Sequence, residues 1–91
     1  MTHAIVLVEA ERSAMATLGP ELAEIAGVGG VYSVTGEWDF VAVVHCKRHE
    51  DLRDVVTTGI ASVTGVARTQ TMVAFEVFSR HDLESMFSIG E

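Results

Sequence analysis

The chain has 91 residues, enough for one small domain, and such a domain buries only about 60 to 65% of the surface that its unfolded chain exposes. Its hydrophobic fraction of 48% is high for so small an interior, so either the core is unusually efficient or apolar surface is buried against another copy of the chain. Thirteen acidic against six basic residues give a net charge of −7, which argues against direct binding of DNA or RNA. A single cysteine, the absence of a long apolar run and the absence of a signal-peptide pattern predict a soluble, cytoplasmic protein with no membrane segment.

The first two predicted elements are a buried strand and a short helix. Residues 3–9 form a run of branched apolar residues without a polar face, the pattern of a strand covered on both sides. A helix is predicted over 17–26, with a threonine as its N-cap and Gly27 just beyond its end. Pro20 then lies in the first turn, where its missing N–H does no harm. A helix that begins at Ser13 and kinks at Pro20 is the alternative.

The next two predicted elements are strands over 31–35 and 40–46, and both carry apolar residues on both faces. They flank the turn Gly36-Glu37-Trp38-Asp39, and a connection this short makes them antiparallel neighbours.

The second half of the chain again has a helix followed by a strand. The helix begins near Asp51 and ends at Gly65, and its interior Gly59 is expected to allow close approach to the sheet. A long fourth strand is predicted over 67–78. The domain thus covers 1–79, and the tail over 80–91, with apolar residues at helical spacing, is expected to dock on a neighbouring subunit.

The order strand, helix, strand, strand, helix, strand predicts an α+β chain with the ferredoxin-like βαββαβ fold. In this fold both helices cover one face of a four-stranded antiparallel sheet. A weak internal repeat supports the order, because Gly27-Val28 precedes the second strand as Gly65-Val66 precedes the fourth. The other face is apolar and has no layer of its own. We therefore predict a homodimer whose sheets pack face to face, a dimeric α+β barrel.

No catalytic, metal-binding or cofactor-binding pattern stands out in the sequence. His45 and His49 have a zinc-like spacing, but one lies in a strand, the other in a loop, and no further ligand completes the site. The glycines over 27–30 follow a helix, whereas phosphate-binding glycines open one. For Cys46, a buried structural thiol is the expected state. We therefore predict no enzyme, no metal site and no cofactor.

The turn between the second and third strands is the best candidate for a ligand site. Trp38 is a large apolar side chain at a loop tip, and Asp39 is an acid at the start of a strand. Asp39 could bind the ammonium group of a zwitterion while the backbone N–H groups of Gly36 and Glu37 bind its carboxylate. In the alternative, Asp39 caps the backbone and Trp38 packs across an oligomer interface. The residues alone slightly favour this structural alternative.

Two segments carry a resemblance to a known family. They are Gly27-Val28 with Val31-Tyr-Ser-Val-Thr-Gly36-Glu-Trp-Asp39-Phe, and Gly65-Val66-Ala-Arg-Thr-Gln-Thr71. They resemble the effector-binding domain, or RAM domain, of the Lrp/AsnC family of feast-and-famine regulators, over residues 3–79. The resemblance implies a ferredoxin-like fold, dimers joined through their sheets, and octamers or decamers of such dimers. It also implies small effectors, usually amino acids, bound where dimers meet.

Matching motifs imply which residues form the effector site. Gly36, Trp38 and Asp39 come from one chain, and Thr69, Gln70 and Thr71 from a neighbouring chain. In the alternative for the threonines, their side chains face the helices.

The chain departs from the family pattern at its start. Full-length members carry an amino-terminal helix-turn-helix domain, whereas Met1 precedes the first predicted strand by only two residues. The resemblance therefore implies a stand-alone effector domain that could reach DNA only by co-assembly with a full-length regulator.

The leading hypothesis is an oligomeric amino-acid-binding module that modulates transcription or amino-acid metabolism. One alternative is a small enzyme of the dimeric α+β barrel type, which would need Gln70, Glu76 and His45 to converge on a cavity between the sheets. The other is a purely structural oligomerisation partner of a full-length regulator.

Overall fold

A computed structural model of the chain describes residues 1–78, so the predicted tail over 80–91 lies outside the described residues. The strands are β1 (Thr2–Ala10), β2 (Val28–Ser33), β3 (Phe40–Cys46) and β4 (Val66–Ala74). Between β1 and β2 lie a 3-10 turn (Arg12–Ala14) and helix α1 (Leu18–Ala23). Between β3 and β4 lies helix α2, which is α-helical over Asp51–Arg53, π-helical over Asp54–Gly59 and 3-10 over Ile60–Ser62.

The sheet has the strand order β2-β3-β1-β4, and all of its pairs are antiparallel. The run of apolar residues in β1 suits its central position, where both neighbours are strands. Val8 of β1 lies opposite Phe40 of β3 on one side and opposite Thr69 of β4 on the other. This order, with helices after β1 and β3, is that of the ferredoxin-like βαββαβ fold. The predicted fold class is therefore confirmed.

Helix α1 begins where the sequence predicts and ends earlier. Thr17 occupies the N-cap position, although its side chain makes no capping hydrogen bond. Pro20 lies in the first turn of the helix, as predicted. The alternative of one kinked helix from Ser13 is wrong, because Arg12–Ala14 forms a separate 3-10 turn. Gly27 lies beyond the helix with a φ of +97°, a conformation that favours glycine.

Helix α2 occupies the predicted region, but its hydrogen bonding changes along its length. Leu52 and Ile60 face the core and are buried. Gly59 serves a close approach, as predicted, although the neighbour is not the sheet. A Cβ atom on Gly59 would lie 3.0 Å from Cγ2 of Ile25, a residue that follows α1. The glycine therefore lets the two helical segments approach each other. Neither helical segment within residues 1–78 is long and apolar enough to cross a membrane.

The hydrophobic core lies between the sheet and the two helices. Alternate residues of β1 and β3 face this layer, which is the period of a strand. The buried strand residues are Ala4, Val6, Val8, Phe40, Ala42 and Val44. From the helices, Leu18, Leu22 and Ile60 are fully buried, and burying each such side chain stabilises the fold by about 1.5 to 3 kcal/mol.

The observed β2 begins earlier than the predicted strand over 31–35 and ends earlier. Its first part contains glycines, which disfavour strand structure, so the sequence did not predict a strand there. Gly29 serves a close approach, because a Cβ atom there would lie 2.8 Å from Nε2 of His45 on the adjacent strand, whereas one on Gly30 would meet nothing within 4 Å. The pairing register of β2 with β3 also shifts between Val28 and Gly30. A bulge of this kind lets the glycine segment stay in the sheet.

The observed β4 is shorter than the predicted strand over 67–78. It lies at the edge of the sheet and pairs only with β1. The last pair joins Ala74 to His3, one residue after the start of β1, so little of β1 remains to pair with the residues that follow. The apolar pattern of Phe75 and Phe78 predicted a longer strand, and both side chains are exposed in the described chain.

The sheet face opposite the helices is apolar and lacks a covering layer within the described residues. Pairing registers place Ile5, Tyr32 and Met72 on this face, and their exposed fractions are 39%, 63% and 43%. Leu7, Val41 and Val43 lie between them. The prediction that every strand has two apolar faces is confirmed for the central strands β1 and β3.

Candidate functional site: the hairpin loop and its neighbours

The loop between β2 and β3 covers residues 34–39 and is attached to the sheet at its base. The Val34 N–H donates to the Asp39 carbonyl at 3.0 Å, and the Asp39 N–H donates to the Val8 carbonyl of β1 at 3.0 Å. Gly36 has a φ of +106°, and a Cβ atom there would meet no other atom within 4 Å. The loop therefore turns at an exposed glycine while its base is fixed by the central strand.

The side chain of Asp39 also binds the backbone of β1. Its Oδ2 accepts a hydrogen bond of 2.8 Å from the Ala10 N–H in a half-buried position. The pairing of β1 with β4 shifts between Glu9 and Ala10, and a bulge of this kind disrupts the backbone ladder. The carboxylate thus supplies an acceptor to the Ala10 amide. Asp39 caps the backbone, as the structural alternative predicts, and a carboxylate has lone pairs on a second oxygen for another donor.

Trp38 is half-buried at the loop tip by the guanidinium group of Arg68 from β4. The Arg68 Cζ atom lies 4.2 Å from the centre of the Trp38 ring, which is the geometry of a cation–π contact. This contact joins the hairpin loop to the far edge strand across the end of the sheet. Arg68 therefore covers part of the Trp38 ring within its own domain, where the sequence predicted that burial would be difficult.

Two carboxylates also bind Arg68. Its Nε donates to Oε1 of Glu9 at 3.2 Å, and its Nη2 pairs with Oε2 of Glu37 at 3.4 Å. The hydrogen bond to Glu9 raises the pKa of Arg68 above its usual value, and the hydrogen bond to Glu37 acts in the same direction. Sequence reasoning missed this cluster as a functional one. The signal that could have pointed to this cluster is Arg68 itself, an arginine within a predicted strand of a chain that has few basic residues.

The loop also presents backbone donors. Within the described part of the chain, the N–H groups of Gly36, Glu37 and Trp38 form no backbone–backbone hydrogen bond. Adjacent unpaired amides in a turn form a concavity that can bind an anion. The loop therefore combines a carboxylate, unpaired amides, an aromatic ring and a guanidinium group.

The predicted β4 residues do not all lie on the same face. Thr69 and Thr71 lie opposite Val8 and Val6 of β1 and thus share the helix-facing side, whereas Gln70 lies opposite Leu7 on the open face. The threonines therefore face the helices, as the alternative predicts. Thr69 is at the same end of the sheet as the loop, because Val8 pairs with both Thr69 and Phe40.

Other reactive side chains do not form a site within residues 1–78. No group of three or more His, Cys, Asp or Glu residues there is arranged to hold a metal ion. His45 lies 6.4 Å, ring centre to ring centre, from His3. Burial raises the pKa of the Cys46 thiol, and the negative charge of Asp51 raises it further. A raised thiol pKa disfavours the nucleophilic thiolate form.

An apolar groove lies between α1 and the β2 edge of the sheet. Its volume is about 360 Å³, and it is lined by Gly19, Pro20, Ala23, Val31, Ser33 and Phe40. It offers few polar groups to orient a ligand, so the hairpin loop remains the better candidate site.

A model of one protein family matches almost the whole chain. The model describes the Lrp/AsnC ligand binding domain and matches residues 3–83. A curated relative, the uncharacterized HTH-type transcriptional regulator PH1692 from Pyrococcus horikoshii, is 31% identical over 74 residues, which are 81% of this chain and 49% of that regulator. The chain thus spans about half the length of this relative, and smaller shares of the other Pyrococcus regulators that it matches.

Solved structures show the same fold. TTHA0845 from Thermus thermophilus is 46% identical with a TM-score of 0.82, covering 88% of this chain and 100% of that chain. The transcriptional regulator NMB0573 from Neisseria meningitidis, solved as a complex with L-Met, is 16% identical with a TM-score of 0.73, covering 93% of this chain and 58% of that chain. At that identity the second likeness concerns the fold alone. The family match over residues 3–83 identifies this chain as a member of the Lrp/AsnC ligand-binding domain family.

Proposed function

We propose that the chain is an oligomeric effector-binding module that takes an amino acid at the hairpin loop and thereby modulates transcription or amino-acid metabolism. The observation that carries the proposal is the loop itself, where the Asp39 carboxylate lies beside unpaired backbone amides in a ligand-binding domain family. The fold relative NMB0573 was solved with L-Met, which supports an amino acid as the class of effector.

The loop fits a zwitterion by its charges. The ammonium group would bind the Asp39 oxygen that does not accept from Ala10, and the carboxylate would bind the amides of Gly36 and Glu37. Trp38 would form an apolar wall beside the ligand. A neighbouring chain would complete the site with Thr69, Gln70 and Thr71, of which Gln70 is exposed on the open face.

The module is proposed to work as an assembly. The open face exposes the large apolar side chains of Ile5, Tyr32 and Met72, and an apolar patch of this kind marks an interaction surface that a second sheet would cover. This supports a homodimer packed through its sheets. Octamers or decamers of such dimers would bring the hairpin loop against a neighbouring chain.

The chain is proposed to act in the cytoplasm, and its proposed role is regulatory rather than enzymatic. The centre of the open face carries Leu7, Val41 and Val43 rather than converging polar groups, so a catalytic cavity between sheets has little support. With a net charge of −7, the chain would act on DNA through a full-length Lrp/AsnC regulator with which it co-assembles.

Isothermal titration calorimetry against the twenty amino acids tests the proposal. The informative variant is Asp39→Asn, because an amide oxygen can still accept from the Ala10 N–H while the negative charge is lost. At least one amino acid is expected to bind the wild type and to bind Asp39→Asn about ten times more weakly. Glu24→Gln, an exposed acid just after α1, is the matched control and is expected to bind like the wild type. Absence of binding by every amino acid, or equal binding by Asp39→Asn, would sink the proposal.

A further inference from the structure

The Arg68 guanidinium group is held between three side chains at the loop end of the sheet. Glu9 binds its Nε, Glu37 binds its Nη2, and Trp38 covers its face at 4.2 Å. The predicted effector site does not include this group.

The three contacts differ in how firmly they are placed. Glu9 lies on β1 directly opposite Arg68 in the strand register, so its position is set by the sheet. Glu37 lies on the hairpin loop, its side chain is 72% exposed, and its contact is the longer one at 3.4 Å. An exposed ion pair of this kind contributes little to stability. Glu37 is therefore the replaceable partner, while Glu9 and Trp38 fix the plane of the guanidinium group.

Arg68 has donors to spare. A guanidinium group carries five N–H donors in a rigid fork, and the two carboxylates use Nε and Nη2. Within residues 1–78, the contacts of Arg68 leave both hydrogens of Nη1 for a further acceptor. Once Glu37 releases Nη2, Nη1 and Nη2 together form a fork that binds a carboxylate through two parallel hydrogen bonds.

Taking the proposed effector function as its basis, we propose that Arg68 is the carboxylate-recognition residue of the site, with Glu37 as its place-holder in the unliganded state. The effector carboxylate replaces the Glu37 carboxylate on the guanidinium edge, and its remaining lone pairs accept from the amides of Gly36 and Glu37. Glu9 and Trp38 keep the guanidinium group in position during the exchange.

The surrounding charges define the class of ligand. Arg68 is flanked by Glu9 and Glu37, and the same loop carries Asp39, so the site has more acids than bases. A dicarboxylate or phosphate would meet this negative field, whereas a monocarboxylate with an ammonium group satisfies both signs. The site therefore selects neutral zwitterionic amino acids over acidic ones.

Trp38 provides the measurement, because it is the single tryptophan of the chain and contacts Arg68 directly. Fluorescence titrations would use the full chain with three probes: the amino acids, their carboxamides, and simple monocarboxylates such as acetate and pyruvate. The variants are Arg68→Lys, Glu37→Gln and the control Arg48→Lys. Arg48 also pairs with exposed acids but follows the other end of β3. Thermal melting of each variant checks that it is folded.

The expected results follow from the exchange of carboxylates. The neutral amino acids bind the wild type, and their carboxamides bind about ten times more weakly. Arg68→Lys keeps the charge but loses the fork, so it lowers amino-acid affinity about tenfold and leaves carboxamide affinity unchanged. Glu37→Gln removes the competitor and raises amino-acid affinity, and Arg48→Lys matches the wild type. Because Glu37 is an exposed loop residue, this variant keeps the test valid even where Arg68→Lys is poorly folded.

The remaining outcomes separate this inference from the proposed function. Amino-acid binding that is equal in Arg68→Lys and Arg48→Lys overturns the role of Arg68 and leaves the effector function standing. Binding of monocarboxylates alone, lost in Arg68→Lys, supports the role of Arg68 and overturns amino-acid sensing. Failure of every carboxylate to bind the wild type overturns both.

Discussion

Three glycines have nearly the same backbone conformation but different surroundings, so their alanine variants should form a graded series. Gly27, Gly36 and Gly65 have φ values of +97°, +106° and +105°. Residues other than glycine rarely adopt this backbone conformation, and forcing alanine into it costs about 1 to 2 kcal/mol at each site. The backbone cost is thus shared, and the space around each Cβ atom sets the order.

The distances rank the three sites. A Cβ atom on Gly36 would meet nothing within 4 Å, one on Gly27 would lie 2.7 Å from Val55 Cγ2, and one on Gly65 would lie 2.5 Å from Ala14 Cβ. Val55 can rotate its side chain, whereas a Cβ atom moves only with its backbone. Gly36→Ala should therefore cost about 1 to 2 kcal/mol, Gly27→Ala about 2 to 3, and Gly65→Ala about 3 to 5.

Urea denaturation followed by far-UV circular dichroism measures the series. All variants must be compared at one chain concentration, because association raises apparent stability. Adding Ala14→Gly to Gly65→Ala removes the steric clash, so the double variant should recover the steric part of the lost unfolding free energy. The remaining loss should then be about that of Gly36→Ala, and a double-mutant cycle tests this. Equal losses for Gly65→Ala and Gly36→Ala, or no rescue by Ala14→Gly, would refute the argument from the Ala14 contact.

Three further variants or conditions test the core, the histidine pair and the cysteine. Ile60→Ala should lower the free energy of unfolding by about 2 to 5 kcal/mol and Ile60→Val by about 1, measured by urea denaturation, because Ile60 is fully buried. Burial, and then the neighbouring His45, lower the pKa of His3 below 6.5. The folded state thus binds fewer protons there than the unfolded state, so stability is highest above about pH 6.5 and falls as pH decreases through the folded pKa. His3→Gln should flatten this fall in melting experiments, and the exposed His49→Gln should not. At pH 8, native Cys46 should react with a thiol reagent more slowly than the urea-unfolded chain, because its thiol pKa is raised.

Each of these expectations has an opposite result. Similar losses for Ile60→Ala and Ile60→Val would mean that the site collapses around the cavity. A pH profile that His49→Gln changes as much as His3→Gln would contradict the assignment to the half-buried His3. A native cysteine that reacts as fast as the unfolded one would contradict a protected thiol.

The bounds of the strands show which parts of the fold are encoded locally. β3 matches its predicted range over 40–46, and β1 differs by one residue at each end. Both lie inside the sheet, where an apolar run coincides with the strand. The edge strands β2 and β4 were predicted less well. β4 ends at Ala74, opposite His3 near the start of its single neighbour β1, and Gly29 of β2 leaves room for His45 on the adjacent strand. Such limits depend on residues distant in sequence.

The candidate site divides in the same way. The loop over 36–39 can be located from sequence because a glycine, a tryptophan and an acid interrupt two apolar runs. The partner of Asp39 could not be found, since the Ala10 amide takes a side-chain acceptor beside a register shift between β1 and β4. The partners of Arg68 depend on the pairing of β4 with β1, which places Glu9 opposite it.

The two sequence interpretations of Asp39 are compatible because a carboxylate has two oxygens. Oδ2 accepts from the Ala10 N–H, which fixes the position of the side chain before any ligand arrives. A fixed acceptor loses less conformational freedom on binding than a mobile one, so the structural bond would favour ligand affinity. Asp39→Ala removes the bond and the charge together and cannot separate the roles. Asp39→Asn keeps an acceptor for Ala10, so a stable variant with weak binding would assign the charge to the ligand, and an unstable variant would assign it to the fold.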